Sequence, residues 1–215
     1  MLFNSNPSFT SVCLEKFSND QIKNEEMFFN SDLNFAYEKG GPITRDFINK
    51  LPSWIKNVNP VLDSRVHMLM KGWFPAIPGF HHDDIPRTTA SGQPNYENPE
   101  YSAKHLMALQ NAEICPTEFV VGSLELEIPK EGIIYKQWHK EIVKKLEREE
   151  LRVVKVPDRC FVYFGPEDFH QSTRAVSSGW RWFVRISWDT DRQNKITNEI
   201  RRNCQVYLEN PMEGW

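Results

Sequence analysis

The sequence predicts a mainly β fold, an antiparallel sandwich or barrel with helices packed outside. Three observations predict it. Short apolar or alternating segments follow one another between about residues 61 and 190. A single long amphipathic pattern, Tyr135 to Leu151, interrupts them. Regular βαβ alternation is absent, as are GxGxxG and GxxxxGK[ST], which argues against a doubly wound parallel sheet.

The elements follow in chain order. Residues 1–60 read as a helical or irregular N-terminal elaboration, with a short helix from Thr44 as N-cap to Pro52 that turns Phe47, Ile48 and Leu51 inward. Arg65 to Lys71 alternates: Val66, Met68 and Met70 share one face, and Arg65, His67 and Lys71 the other. Residues 85–103 are polar, carry three prolines and show no apolar period, so they predict a long loop. Leu106 to Leu109 and Phe119 to Ile128 are strand candidates, the second bent at Gly122-Ser123. In the Tyr135 to Leu151 helix, Trp138, Ile142 and Leu146 recur at i, i+4, and Val143 widens the stripe. Val153 to Val156, Cys160 to Phe164 and Trp180 to Trp188 complete the strands. The tail, residues 191–215, reads as helical, with Ile196, Ile200 and Cys204 as a thin stripe. With 215 residues, the chain is expected to be one domain, 1–215, with 61–190 as its core.

Composition narrows the function. At 40% hydrophobic residues the chain can bury a core. A net charge of −3 leaves no basic excess for a phosphate backbone, so no nucleic-acid partner is expected. The four cysteines, Cys13, Cys115, Cys160 and Cys204, form no CxxC pair, which excludes a zinc ribbon and fits a reducing compartment. No apolar run approaches a membrane span and no signal-peptide pattern opens the chain, so the expectation is a soluble, cytoplasmic protein.

Three segments carry candidate chemistry. In His81-His82-Asp83-Asp84, residues i and i+2 point the same way on an extended chain, so His81 with Asp83, or His82 with Asp84, offers an imidazole and a carboxylate to one divalent metal. Alone, this motif also reads as a solvated acidic turn. His170 follows an apolar strand and a Gly165-Pro166 turn, and alone it reads as a loop histidine. Trp180 to Trp188 splits by parity into a wholly apolar face and a face with Arg181, Phe183, Arg185 and Ser187. That second face suits water, or a barrel interior where guanidinium groups grip a carboxylate. Together, two histidines and a carboxylate are a facial set that leaves metal positions open, with an arginine eleven residues past the last histidine.

Here the sequence resembles the Fe(II)/2-oxoglutarate-dependent dioxygenases, and most closely their phytanoyl-CoA hydroxylase-like branch. The residues that carry the resemblance are Pro78-Gly-Phe-His81-x-Asp83, Pro116-Thr-Glu-Phe-Val-Val-Gly-Ser123, His170 and Arg181. It covers about residues 61–190 and leaves both terminal segments unassigned. The resemblance implies a double-stranded β-helix (jelly-roll, cupin-like) core with N-terminal and inserted helices outside. It implies His81, Asp83 and His170 as iron ligands, Arg181 and Thr117 on the far carboxylate of 2-oxoglutarate, and O₂ as co-substrate. Arg185 and Ser187 form an R-x-S pair like that of other branches, but fifteen residues past His170, which leaves open whether Arg185 binds co-substrate, binds substrate or supports Arg181.

The implied activity is hydroxylation of a small-molecule or peptide substrate with release of succinate and CO₂. Two rivals share the architecture: a cupin-like metalloenzyme that does not use 2-oxoglutarate, and a non-enzymatic jelly-roll binding or structural module. Residues 85–103 would form a lid over the open metal positions, offering Arg87, Tyr96 and Tyr101 to substrate.

Overall fold

The structure is a computed structural model that describes residues 1–98 and 102–208. In chain order the elements are β1 (Leu2–Ser5), β2 (Ser8–Cys13), α1 (Asn19–Lys23), β3 (Met27–Phe29), α2 (Leu33–Lys39), α3 (Pro42–Lys50), α4 (Ser53–Asn57) and β4 (Val61–Leu69). They continue with β5 (Lys104–Gln110), β6 (Thr117–Glu125), α5 (Ile134–Glu147), β7 (Arg152–Lys155), β8 (Cys160–Phe164), β9 (His170–Ser172), β10 (Gly179–Trp188), a 3₁₀ turn (Asp191–Lys195) and β11 (Glu199–Arg201).

The architecture is mainly β, and among the described residues every strand pairing is antiparallel. One sheet has the order β2-β8-β5-β10-β4; in a second, β6 pairs with β1, β7 and β9; β11 and β3 form a small third. Period-two alternation decides what each face meets. On the outer face of the large sheet, Trp182, Val184, Ile186 and Trp188 pack with Leu106, Ala108 and Phe161 beneath Ile43, Phe47, Ile48 and Ile55 of α3 and α4. The apolar face of β10 is therefore the floor on which the N-terminal helices lie. On the inner face, Met107, Leu109, Val162 and Phe164 meet Phe119 of the second sheet. The far side of the second sheet, through Val120 and Leu124, is covered by Ile134, Tyr135, Trp138 and Ile142 of α5.

Trp138 is the centre of that third layer. Its ring is fully buried, lies edge-on to Phe3 at 5.4 Å, and donates Nε1–H to the Glu127 carbonyl at 2.7 Å. Trp138→Ala is expected to cost about 3–5 kcal/mol, the range for emptying a buried aromatic site. Urea denaturation would measure it, and a loss below about 1 kcal/mol would mean that α5 is not part of the cooperative unit.

Several expectations change. The first thirteen residues, expected to be irregular or helical, form β1 and β2, which pair with β6 and β8. Helix α3 begins at Pro42 rather than beyond Thr44; proline suits the first helical turn, where its missing N–H leaves nothing unsatisfied. The tail is a 3₁₀ turn and β11, not an α-helix, since Glu199, Ile200 and Arg201 find partners on β3. The expected alternation of β4 is present: Val66 is buried against the helices, Met68 and Met70 of the same face are 40% and 45% exposed, and Arg65 and His67 of the other face line the cavity. Residues 209–215 of the tail lie outside the described residues. All four cysteines are free thiols, and the Sγ atoms of Cys13 and Cys160 lie 3.1 Å apart across β2 and β8. Among the described residues, no helix is long and apolar enough to cross a membrane.

Candidate metal centre

Between the two sheets lies a cavity of about 890 Å³. His81, Asp83 and His170 meet on its wall, each offering one donor atom, and those atoms all lie within 4.8 Å of one another. His81 and His170 are paired by reciprocal backbone hydrogen bonds, His81 N–H to the His170 carbonyl at 3.0 Å and His170 N–H to the His81 carbonyl at 3.1 Å. The pairing aligns their side chains on one face, with ring centroids 4.5 Å apart. Asp83, two residues on, returns to that face: its carboxylate is 3.8 Å from His81 Nε2 and 3.2 Å from His170 Nε2.

The local chain fixes which ring nitrogens face inward. His81 Nδ1 lies 2.8 Å from the Gly79 carbonyl, and His170 Nδ1 lies 3.2 Å from the Asp168 carbonyl. A carbonyl only accepts, so Nδ1–H donates in both rings, and Nε2 is the nitrogen that each ring turns toward Asp83. Gly79 adopts φ +111°, which a side chain would strain, and that turn aims its carbonyl at the ring two residues on. Phe80 N–H donates to His139 Nδ1 on α5 at 3.2 Å, which fastens the segment to the helix layer.

Electrostatics favour a cation here. Burial, with His170 alongside, lowers the pKa of His81 to about 3, so it is neutral and able to coordinate. Burial alone would raise the pKa of Asp83, but the Arg185 guanidinium together with His170 and His81 outweighs it and holds the carboxyl well below the usual range. Two imidazoles and one carboxylate, inward-facing and mutually close, are a donor set that fits a divalent metal with positions left open.

The alternative pair does not converge. His82 points away from the cavity, with Nδ1 2.8 Å from the Tyr96 hydroxyl and its ring 3.7 Å from that of Phe169. Asp84 lies 3.5 Å from Arg192.

The two arginines of β10 differ in company. Arg181 is buried, and its Nη2 donates to Thr117 Oγ1 at 3.1 Å. Its Nε has no hydrogen-bond partner, and among the described residues no acidic side chain lies within ion-pairing distance. Burial lowers its pKa accordingly. Arg185, an alternative for the co-substrate carboxylate, is instead held by Asp83 and by Asp63 at 3.2 Å.

Sequence reasoning missed Asp63, Arg65, Arg192 and His105. Asp63 and Arg65 were within reach, because β4 keeps the parity of His67 for two more pairs. His105 is buried, bonded to Ser187 Oγ at 2.8 Å. Arg192 comes from the 3₁₀ turn, and nothing in its neighbours announced it. The expected lid is a correction: none of residues 85–98 lines the cavity. Tyr96 is buried against Trp138 and bonded to His82 and Tyr135, and Arg87 lies exposed, bonded to Gly92. Tyr101 lies outside the described residues. The cavity's far wall comes from Glu199 to Gln205 and Tyr207.

No protein-family model matches the sequence, and no curated protein matches it. Solved structures do resemble the chain. An N-substituted L-amino acid dioxygenase from Burkholderia ambifaria AMMD is 13% identical, over 72% of this chain and 61% of its own, with a TM-score of 0.40. The N-substituted L-amino acid dioxygenase from that source in complex with alpha-KG is 12% identical, over 58% and 46%, with a TM-score of 0.33. HygX from Streptomyces hygroscopicus with iron bound is 11% identical, over 87% and 83%, with a TM-score of 0.37. The chain thus spans about three fifths of the first of these structures and under half of the second. All three TM-scores lie below 0.5, so the functional conclusion rests on the chain's own side chains.

Proposed function

We propose that the protein is a non-haem Fe(II)- and 2-oxoglutarate-dependent dioxygenase on a double-stranded β-helix core, hydroxylating an organic substrate with release of succinate and CO₂. The observation that carries this reading is the placement of Arg181. A buried guanidinium without an acidic partner lines the same cavity as a two-histidine, one-carboxylate donor set. A desolvated cation is costly unless a counter-ion completes it, and a dicarboxylate that also reaches the metal does so.

In this reading His81, Asp83 and His170 hold the iron. When bound, the iron supplies the oxidising chemistry toward O₂, with 2-oxoglutarate as reductant. The chain's own groups do the rest. Arg181 grips the far carboxylate with its planar fork, and the Thr117 hydroxyl beside it orients that fork. Arg185 keeps Asp83 ionised and aimed at the metal. Phe119 and Phe164, with ring centroids 5.2 and 5.0 Å from that of His170, shed water from one side of the site.

The test is to add Fe(II) and 2-oxoglutarate to the purified protein under air and measure succinate. Slow succinate formation without primary substrate, absent when iron or 2-oxoglutarate is left out, is the expected result. Metal binding with neither succinate formation nor 2-oxoglutarate binding would favour a cupin-like metalloenzyme instead.

A further inference from the structure

Among the described residues, six arginines line the cavity: Arg65, Arg181, Arg185, Arg192, Arg201 and Arg202. Most are answered by acids. Arg185 and Arg192 share Asp63, with Asp83 and Asp84 as their second partners. Arg201 lies 2.9 Å from Glu199, and Arg202 lies 2.6 Å from Glu26. Two are left, Arg181 and Arg65. If 2-oxoglutarate completes Arg181, as proposed above, one half-buried guanidinium still lacks an ion-pair partner.

Arg65 is that group. It stands on the inward face of β4, directly across from Phe183, and so diagonal to both Arg181 and Arg185 on β10. Its Nη1 donates to the carbonyls of Phe28 at 2.9 Å and Ser64 at 2.7 Å. Among the described residues, no carboxylate comes within ion-pairing distance of it. Three guanidinium groups, of Arg65, Arg192 and Arg201, gather around the Phe29 ring at 5.6, 5.8 and 3.7 Å from its centroid. The ring's negative face tolerates cations but does not cancel their mutual repulsion. Arg192 and Arg201 have acidic partners, so Arg65 is the member of this cluster left without an ion pair among the described residues. From Arg65 an apolar track of Phe183, Met107 and Phe164 lines the cavity, and Phe164 packs on His170.

We propose that the primary substrate is an organic acid whose carboxylate is held by Arg65, while its apolar body lies along Phe183, Met107 and Phe164 toward the metal donors. Arg65 is then the specificity-determining residue of the site. This rests on 2-oxoglutarate occupying Arg181.

The test uses phenylalkanoic acids of two to five side-chain carbons and their amides, titrated calorimetrically into the Mn(II)-loaded protein with and without saturating 2-oxoglutarate. At least one acid is expected to bind in both conditions, and its amide at least about tenfold more weakly. Arg65→Gln should weaken the acid by about tenfold and abolish the preference for acid over amide, while 2-oxoglutarate affinity stays unchanged. Arg65→Lys should restore part of the preference, which separates charge recognition from the role of Nη1 in holding the Phe28 carbonyl. Equal binding of acid and amide, no binding of any acid, or an unchanged acid preference in Arg65→Gln overturns the proposal. So does an acid that 2-oxoglutarate displaces, because it would sit on Arg181. A wild type that binds no 2-oxoglutarate, yet binds the acid through Arg65, overturns the co-substrate assignment and leaves the acid site standing.

Discussion

Alanine at His170 or Asp83 is expected to lower Mn(II) affinity by more than about a hundredfold and to abolish succinate formation. Losing a partner that merely orients a ligand costs about ten- to hundredfold, and losing the ligand itself exceeds that. The adjacent histidines should behave in opposite ways. His81→Ala removes a donor that faces the metal site, so affinity collapses while the fold stands. His82→Ala removes a ring packed on Phe169 and Phe3 and bonded to Tyr96, so stability falls while the donor set keeps its geometry. A loss of about 3 kcal/mol, at the low end for buried ring deletion, corresponds to roughly 6–12 °C in Tm for a chain of this size. Metal titration and thermal melts on the two variants read the contrast directly. If His82→Ala loses metal and His81→Ala keeps it, the donor pair is His82 with Asp84.

Arg181→Ala is expected to raise the 2-oxoglutarate dissociation constant by about ten- to a hundredfold, the equivalent of a charge-assisted contact of about 1.5–3 kcal/mol. Lysine should restore only part, because it lacks the fork that meets two carboxylate oxygens at once. Arg185→Ala should act elsewhere. It leaves Asp83 and Asp63 without a shared cation, so its first effect is on metal affinity. The reverse pattern, with Arg185→Ala weakening 2-oxoglutarate and Arg181→Ala leaving it alone, would exchange the two roles. Arg181→Met, similar in size and uncharged, is further expected to raise the Tm of the ligand-free protein, since the wild type keeps a desolvated cation there without an acidic partner.

What the sequence made legible was periodicity over long strands. Nine residues from Trp180 to Trp188 gave the parity of β10, and with it the apolar floor for the helices and the inward arginines. The i, i+4 rhythm of Trp138, Ile142 and Leu146 gave α5. Where elements were too short for a period to emerge, the reading failed. β9 has three residues, and β1 and β2 are short edge segments whose strand state comes from their partners on β6 and β8. The choice between His81 and His82 could not be read from spacing, because both pairs obey the same i, i+2 rule. It turns on which side of the chain faces Phe169 and which faces His170, a tertiary fact. Likewise, composition made residues 85–103 look free of the core, because one deeply anchored ring, Tyr96, does not register in an average.

The pairing of β4 with β10 has a consequence for the making of the protein. β4 lies at the edge of its sheet beside β10, and the chain runs from Leu69 to Gly179 before that neighbour begins. At typical ribosomal speeds those roughly 110 residues take about 5–20 s to emerge. Through that interval Leu62, Val66 and the apolar faces of α3 and α4 lack the floor that Trp182, Val184 and Ile186 later provide. The nascent chain therefore carries an uncovered apolar surface until β10 is made, which gives holdase chaperones that recognise such surfaces a window on this stretch.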